Sequence, residues 1–161
     1  MMENPQSKSQ ESTTSSTNGK ADLGKRFIAG VIDAVIAMII GLIPVIGGFI
    51  GAAYMLFRDG MPYTFMDHRS VGKKLMKLRP VTLDGGPVDI SISAQRNWMF
   101  ALGTLIQALI YIPIIGWVLI PIVALAALII IIIEIILVTI KEDGRRWGDN
   151  LANTKVIEVS D

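Results

Sequence analysis

Two carboxylates stand inside long apolar stretches of the sequence, where an ionisable side chain is unusual. Asp33 lies seven residues after Arg26, and Glu134 lies seven residues before Lys141. Each carboxylate is therefore about 10 Å along a helix from a basic residue near the end of its stretch. A carboxylate in hydrocarbon faces the bundle interior, finds a partner or takes up a proton. One hypothesis is that the two carboxylates form a polar site that takes up protons or small cations during transport.

The same residues also fit structural ion pairs. Arg26 and Asp33 share a helix face but are separated along its axis, so Arg96 on a neighbouring helix is an alternative partner for Asp33. Candidate partners for Asp149 are Arg145, Arg146 and the basic residues of the segment between the two apolar stretches, and such a pair would hold the C-terminal segment at the membrane surface. For either hypothesis the candidate residues are Arg26, Asp33, Arg96, Glu134, Arg145, Arg146 and Asp149.

Other kinds of chemistry have little support. The chain has no cysteine, which excludes disulfides and zinc–thiolate sites, and its only histidine, His68, lacks a second ligand at metal-binding spacing. Ser91 and Ser93 have no neighbouring base. Gly72-Lys73 is not a P-loop, because no glycine stands five residues before Gly72. We therefore expect no enzyme activity, no catalytic residue, no cofactor and no metal.

The apolar stretch around Glu134 is long enough to lie in a membrane. Residues 98–140 contain one ionisable side chain and are twice as long as the roughly 20 residues that one helix needs to cross the hydrocarbon layer. A soluble chain of 161 residues could not bury so much apolar surface. Pro113, Gly116 and Pro121 interrupt the stretch, which predicts two helices joined near residues 112–116.

The length of the apolar stretch around Asp33, residues 27–57, does not decide how many times it crosses the membrane. One straight helix of this length would overshoot the membrane, whereas two full spans need about 40 residues. One long helix, a re-entrant hairpin and a full hairpin are the alternatives. Basic residues flank the stretch on both sides, and lysine and arginine favour the cytoplasmic side. A hairpin joined at residues 44–48 keeps both flanks on that side.

Gly47 and Gly51 form a pair of small residues four apart on the second predicted helix. Such a pair lets another helix approach closely. The approaching helix belongs either to the same chain or to a second copy in a homo-oligomer, and the sequence does not choose between them.

The polar segment after this stretch predicts a small cap. Val71, Leu75 and Leu78 recur at helical spacing among lysines, which is typical of a short helix lying on an anionic leaflet. Residues 78–83 and residues 154–159 alternate in polarity as short strands do. Pairing between them would form a two-stranded sheet.

Together these patterns predict an all-α integral membrane protein, a four-helix transmembrane bundle of two helical hairpins with a small cytoplasmic cap. A net charge of +1 argues against nucleic-acid binding. The expected partners are the lipid bilayer, anionic lipid at the basic cytoplasmic segment, and a second copy of the chain. The predicted parts are a disordered tail at 1–22 and a membrane domain at 23–159, with helices at about 24–43, 45–59, 92–112 and 117–140, a cytoplasmic segment at 60–91 and a C-terminal strand at 154–159.

Four landmarks also occur in a set order around the apolar stretches. They are Arg26 with Asp33, the Gly72-Lys73 segment at 70–81 followed by Asp84-Gly85-Gly86, the Arg96-Asn97 pair, and the segment 145–156. Together, over about residues 23–159, they resemble the RDD family of small, mostly bacterial membrane proteins.

The resemblance implies a membrane protein of a family that has been proposed to take part in transport. With the charge placement, it predicts a multi-pass protein of the bacterial cytoplasmic (inner) membrane with both termini inside. The predicted function is transport of ions or small solutes through a site that contains the membrane-embedded carboxylates. The alternative is a non-transporting scaffold or accessory subunit in which the buried charges form structural ion pairs.

Overall fold

The computed structural model describes residues 21–160. The predicted tail at 1–22 lies outside this range except for Ala21, which is buried, and Asp22, which caps the first helix. The elements in chain order are α1 Leu23–Gly41, α2 Gly47–Phe57, α3 Val71–Leu75, β1 Leu78–Thr82, α4 Ile90–Arg96, a 3-10 turn Trp98–Phe100, α5 Ala101–Leu109, α6 Ile115–Ile140, α7 Trp147–Leu151 and β2 Thr154–Glu158.

Helix α1 turns its polar face inward and its apolar face outward. It begins at Asp22, whose carboxylate accepts a hydrogen bond from the Lys25 backbone N–H at 2.8 Å. Ala29 and Asp33 are buried, whereas Phe27 is 73% exposed. This arrangement is the reverse of a soluble protein and suits a helix that is surrounded by lipid.

Within the described residues, α6 is the one helix that is long and apolar enough to span a membrane. Its 26 residues extend for about 39 Å, and only 6% of its most apolar window is buried inside the protein. Two shorter apolar helices, α2 and Trp98–Leu109, precede it in the sequence. The fold is therefore mostly helical with one candidate membrane helix, and the four-helix transmembrane bundle stays a prediction.

The third predicted helix, at 92–112, is divided into α4, the 3-10 turn and α5. Asn97 stands at the first break, where its buried side chain donates hydrogen bonds to Asp59 Oδ2 at 3.2 Å and to the Leu56 carbonyl at 3.4 Å. A buried polar side chain held by another element fixes the chain at this point. Helix α2 is also shorter than its predicted range of 45–59, and Val45 before it has a φ of +68°.

Two helical hairpins form the apolar body. Helix α1 packs on α2, α2 packs on α5, and α5 packs on α6. Gly47 and Gly51 face α1, since a Cβ on Gly51 would lie 2.8 Å from the Ala37 carbonyl oxygen. The tips of the hairpins are joined by Tyr111, whose hydroxyl donates to the Val45 carbonyl at 3.1 Å. The small-residue pair therefore serves a contact within the chain.

The cap consists of α3, α7 and an antiparallel sheet of β1 and β2, and the sheet is the one that the sequence patterns predict. The register runs from Leu78 opposite Glu158 to Thr82 opposite Thr154. Leu78 and Val156 pack with the buried side chains of Ala21 and Ala29. An ion pair between Lys25 and Glu158 adds a surface contact. The sheet thus holds the start of α1 against the end of the described chain.

Candidate functional site

Nine charged side chains meet where the helix ends contact the cap, and we call them the charge cluster. Seven are buried, and the side chains of Arg26 and Arg146 are 12% and 19% exposed. The members are the cations Arg26, Arg58, Lys73, Arg96 and Arg146 and the carboxylates Asp33, Asp59, Asp149 and Glu134.

Asp33 accepts hydrogen bonds from three groups, two at the C-terminal end of α2 and one in α3. Its Oδ2 lies 3.1 Å from Arg58 Nη1, and its Oδ1 accepts from the Tyr54 hydroxyl and from the Gly72 backbone N–H, each at 2.9 Å. The partner of Asp33 is therefore Arg58 and not the predicted Arg96. These charge-assisted bonds compensate for the burial of the carboxylate.

The bond from Gly72 depends on the absence of a side chain. A Cβ at this position would lie 2.0 Å from the Ala29 carbonyl oxygen, so only glycine lets α3 approach α1 this closely. Ser70 caps α3 through its hydroxyl, which accepts from the Lys73 N–H at 3.2 Å. Short as it is, α3 is thereby fixed against Asp33.

Asp149 is the centre of a second group of ion pairs. Arg96 Nη2 lies 2.6 Å from its Oδ1, while Arg26 Nη2 and Arg146 Nε lie 3.1 and 3.5 Å from its Oδ2. Burial by itself would raise the pKa of Asp149, but the three guanidinium groups lower it well below its ordinary value. The carboxylate is therefore charged and holds α1, α4 and α7 together.

Asp59 and Lys73 form a third buried contact in the segments between the apolar helices. Lys73 Nζ lies 2.6 Å from Asp59 Oδ1. Burial lowers the pKa of Lys73 to about 7. Attraction by Asp59 acts to raise this pKa, and repulsion from Arg58 and Arg96 acts to lower it. For Asp59, burial acts to raise the pKa, but Lys73, Arg96 and Arg58 lower it below its ordinary range.

Glu134 lies apart from Asp33 and has different partners. Its Oε1 accepts from the Gly148 N–H at 3.1 Å, and its Oε2 is 4.0 Å from Arg146 Nε. A Cβ on Gly148 would lie 1.9 Å from the Arg96 carbonyl oxygen, so this glycine too permits a close approach. The two carboxylates in apolar stretches do not share a set of ligands.

The structure thus brings together six of the seven predicted site residues in the cluster. Arg145 lies beside the cluster and binds two backbone carbonyl groups. Its Nε donates to the Thr154 carbonyl at 2.9 Å and its Nη2 donates to the Asp149 carbonyl at 3.2 Å. The sequence did not identify Arg58, Asp59 and Lys73 as site residues. A usable signal was the adjacent pair of opposite charges, Arg58 and Asp59, directly after an apolar run.

A cavity of about 260 Å³ opens within the charge cluster. Exposed Phe27 of α1 and Ile135 of α6 border it, so its mouth lies at the outer surface of the helices. Asp33 lines it, whereas Glu134 is not part of its lining. The charged groups of its lining are guanidinium, ammonium and carboxylate groups. The lining includes Leu23, Arg26, Asp33, Arg58, Lys73, Arg96 and Arg146.

Comparison with known proteins gives one informative result. No curated protein and no solved structure matches the chain. The model of the RDD family matches residues 45–153, which contain α2 to α7 and most of the charge cluster but not Arg26 and Asp33. Because this match covers more than half of the chain, the protein belongs to the RDD family.

Proposed function

We propose that this protein transports small ions or solutes across the bacterial cytoplasmic membrane and that the cavity in the charge cluster is their binding site. The supporting observation is a cavity of about 260 Å³ lined by buried charged side chains. Ionisable groups at membrane depth are costly, and those that line a cavity typically mark a substrate or ion pathway.

Asp33 is the carboxylate that we assign to this pathway. It lines the cavity and is paired with Arg58 at 3.1 Å. A cation that binds Asp33 must replace Arg58, whereas an anion that binds Arg58 must compete with Asp33. Either exchange converts a closed ion pair into an occupied site, which is a two-state change that transport requires. Glu134 has a structural role in this proposal, since Gly148 and Arg146 hold it away from the cavity.

The proposed orientation places the cap in the cytoplasm, with the chain crossing the inner membrane several times and both termini inside. Basic residues on both sides of the first apolar stretch support this orientation. Lys74 and Lys77 at the cap surface are the proposed contacts for anionic lipid. A homo-oligomer would use surfaces other than Gly47 and Gly51, which already face α1.

The test is a flux assay with the purified protein in liposomes. Na⁺, K⁺, H⁺ and small anions are screened with and without a pH gradient, for the parent chain, Asp33→Asn and the control Asp143→Asn. The Asp143 side chain is 51% exposed, its carboxylate lies 3.9 Å from the Arg145 guanidinium, and it accepts one local hydrogen bond from the Arg145 backbone N–H at 3.1 Å. We expect about tenfold less cation flux for Asp33→Asn and no change for the control. Flux that never exceeds that of empty liposomes rules out transport.

The second candidate is a membrane scaffold or accessory subunit. The observation that favours it is the full set of partners around Asp33, which needs no ligand to be stable. In that case Asp33→Asn lowers the yield of folded protein, and no tested ion crosses the membrane even with the parent chain.

A further inference from the structure

The cavity has a strongly cationic lining. Five basic side chains line it, and the only carboxylate among its lining residues is Asp33. In the whole cluster five basic side chains face four carboxylates, so below about pH 7, where Lys73 is protonated, one positive charge has no counter-charge within it. A buried excess charge is costly unless an ion of opposite sign compensates for it.

Two of these arginines also have hydrogen-bond donors without acceptors. Arg96 is fully buried, and its Nη1 has no hydrogen-bond partner, while its Nε has only the Asp59 carboxylate at 3.6 Å. The Nε of Arg58, which is 4% exposed, has no partner either. Both residues belong to the cavity lining, but these three nitrogens lie within its wall, so a ligand reaches them only after a small shift of the side chains. Each buried donor without an acceptor costs about 1–3 kcal/mol, so such groups call for a missing acceptor.

The size and border of the cavity limit the ligand that fits. Its volume of about 260 Å³ is below the roughly 300–1,000 Å³ of pockets that enclose drug-sized molecules. An oxyanion with several acceptor oxygens matches the planar donor arrangement of guanidinium groups. Exposed Phe27 and Ile135 at the mouth would also accommodate an apolar tail.

We propose that the cavity binds the phosphate group of an anionic ligand through Arg58 and Arg96. This inference names the ligand class of the site described under the proposed function, and in that respect it rests on that proposal. Inorganic phosphate and the headgroup of an anionic phospholipid present the same chemistry. The apolar border at Phe27 adds contacts that only the lipid can make.

A binding experiment on the full chain tests the inference without requiring transport. The protein is purified and delipidated in a neutral detergent. Binding of inorganic phosphate is measured by calorimetry, and binding of phosphatidylglycerol and of phosphatidylcholine is measured by native mass spectrometry. Phosphatidylcholine serves as the lipid control, because its headgroup contains a phosphate but is zwitterionic and has no net charge.

Two glycines of α1 provide a matched pair of variants. A Cβ on Gly30 or on Gly41 would meet nothing within 4 Å, so a side chain at either position starts in open space. Gly30 lines the cavity and Gly41 ends the helix far from it. Gly30→Trp is expected to reduce phosphate-group binding at least tenfold, and Gly41→Trp to leave it unchanged. Arg58→Lys keeps the charge beside Asp33 but removes the unpartnered Nε, and is expected to weaken binding about tenfold.

Each outcome has a defined meaning. Binding of phosphate, of phosphatidylglycerol, or of both, with loss in Gly30→Trp but not in Gly41→Trp, supports the site and identifies the source of the phosphate group. The inference is overturned by the absence of binding of either, by equal binding in Gly30→Trp, or by equal affinity for phosphatidylcholine. Binding without flux in liposomes leaves this site intact and refutes only the proposed transport.

Discussion

Two glycines act as hydrogen-bond donors to the two carboxylates that stand in apolar stretches. Gly72 donates to Asp33 at 2.9 Å and Gly148 donates to Glu134 at 3.1 Å. In both cases an added Cβ would collide with a backbone carbonyl oxygen of another element. A backbone N–H that reaches a buried carboxylate supplies a charge-assisted bond without the entropy cost of ordering a long side chain.

Gly72→Ala is expected to lower the free energy of unfolding by about 2–4 kcal/mol, because α3 must move away from Ala29 and Asp33 loses a donor. Thermal unfolding in detergent measures this loss. Gly103→Ala in α5 is the control, since its Cβ would meet nothing within 4 Å. Equal melting temperatures for the two variants would contradict the close approach of α3 to α1.

Asp149→Asn keeps the shape of the side chain and removes the charge that three arginines face. Breaking a buried ion pair on one side leaves uncompensated charge, so we expect a loss of about 3–5 kcal/mol in denaturant-induced unfolding. The exposed Asp143→Asn should change the same quantity by about 0.5 kcal/mol or less. A stability equal to that of the parent would show that Asp149 is not the centre of the ion pairs.

The sequence pointed to most of the charged residues and to Arg146 and the middle segment as partners of Asp149, but not to the partners of Asp33 and Glu134. Asp33 and Glu134 stand out because a carboxylate in an apolar run is unusual, whereas Arg58 follows such a run like any topological charge. Which arginine meets which carboxylate depends on how the helices are rotated and how far they reach, and one sequence does not contain that information. The predicted contact between Asp33 and Arg96 was wrong for this reason.

At the level of elements, hydrophobic periodicity located the helices better than it located their interruptions. The predicted strands pair as β1 and β2, even with Pro80 in the middle of β1, because a two-stranded sheet leaves an outer edge where no N–H is required. The break after α4 was not visible in the sequence. It depends on Asn97 reaching Asp59, a contact between residues far apart in the chain.

The hairpin tips provide a test of topology. Tyr111 bonds to Val45, so both tips lie at the same depth. Because the chain contains no cysteine, Ile46→Cys and Ile112→Cys each introduce a single thiol. Both are expected to react with a membrane-impermeant maleimide from the outer side of intact cells. Asp84→Cys in the cap and Glu142→Cys after α6 should react only after lysis. Labelling of all four positions from one side would refute the hairpins as membrane crossings.

For the whole molecule, the buried carboxylates predict how the free energy of unfolding changes at acidic pH. The pKa values of Asp59 and Asp149 are lowered from their ordinary value of 3.8. As the pH falls below 3.8, the unfolded chain takes up protons before the folded one does, so the stability contributed by these groups is lost. Denaturation curves in detergent should therefore show a steep loss below this pH.

Lys73 predicts a second rise of stability with pH, in the neutral to alkaline range. Its pKa is lowered from 10.5 to about 7, so between these values the unfolded chain binds more protons and stability rises with pH. The groups that face Lys73 are Asp59, Arg58, Arg96 and Asp33. Lys73→Met should remove the rise, while Lys74→Met on the same helix should retain it. A parent curve that is flat from neutral to alkaline pH would contradict the shift.

The ion pairs at Asp149 join the first helix to a part of the chain that the ribosome makes last. Arg26 enters the membrane region early in translation, but its partner Asp149 follows more than a hundred residues later. Until then the inward face of α1 has charges without their native counter-ions, and an insertase or lipid headgroups must shield them. Release of a nascent chain before α7 emerges would therefore leave a membrane-inserted intermediate that quality-control proteases recognise.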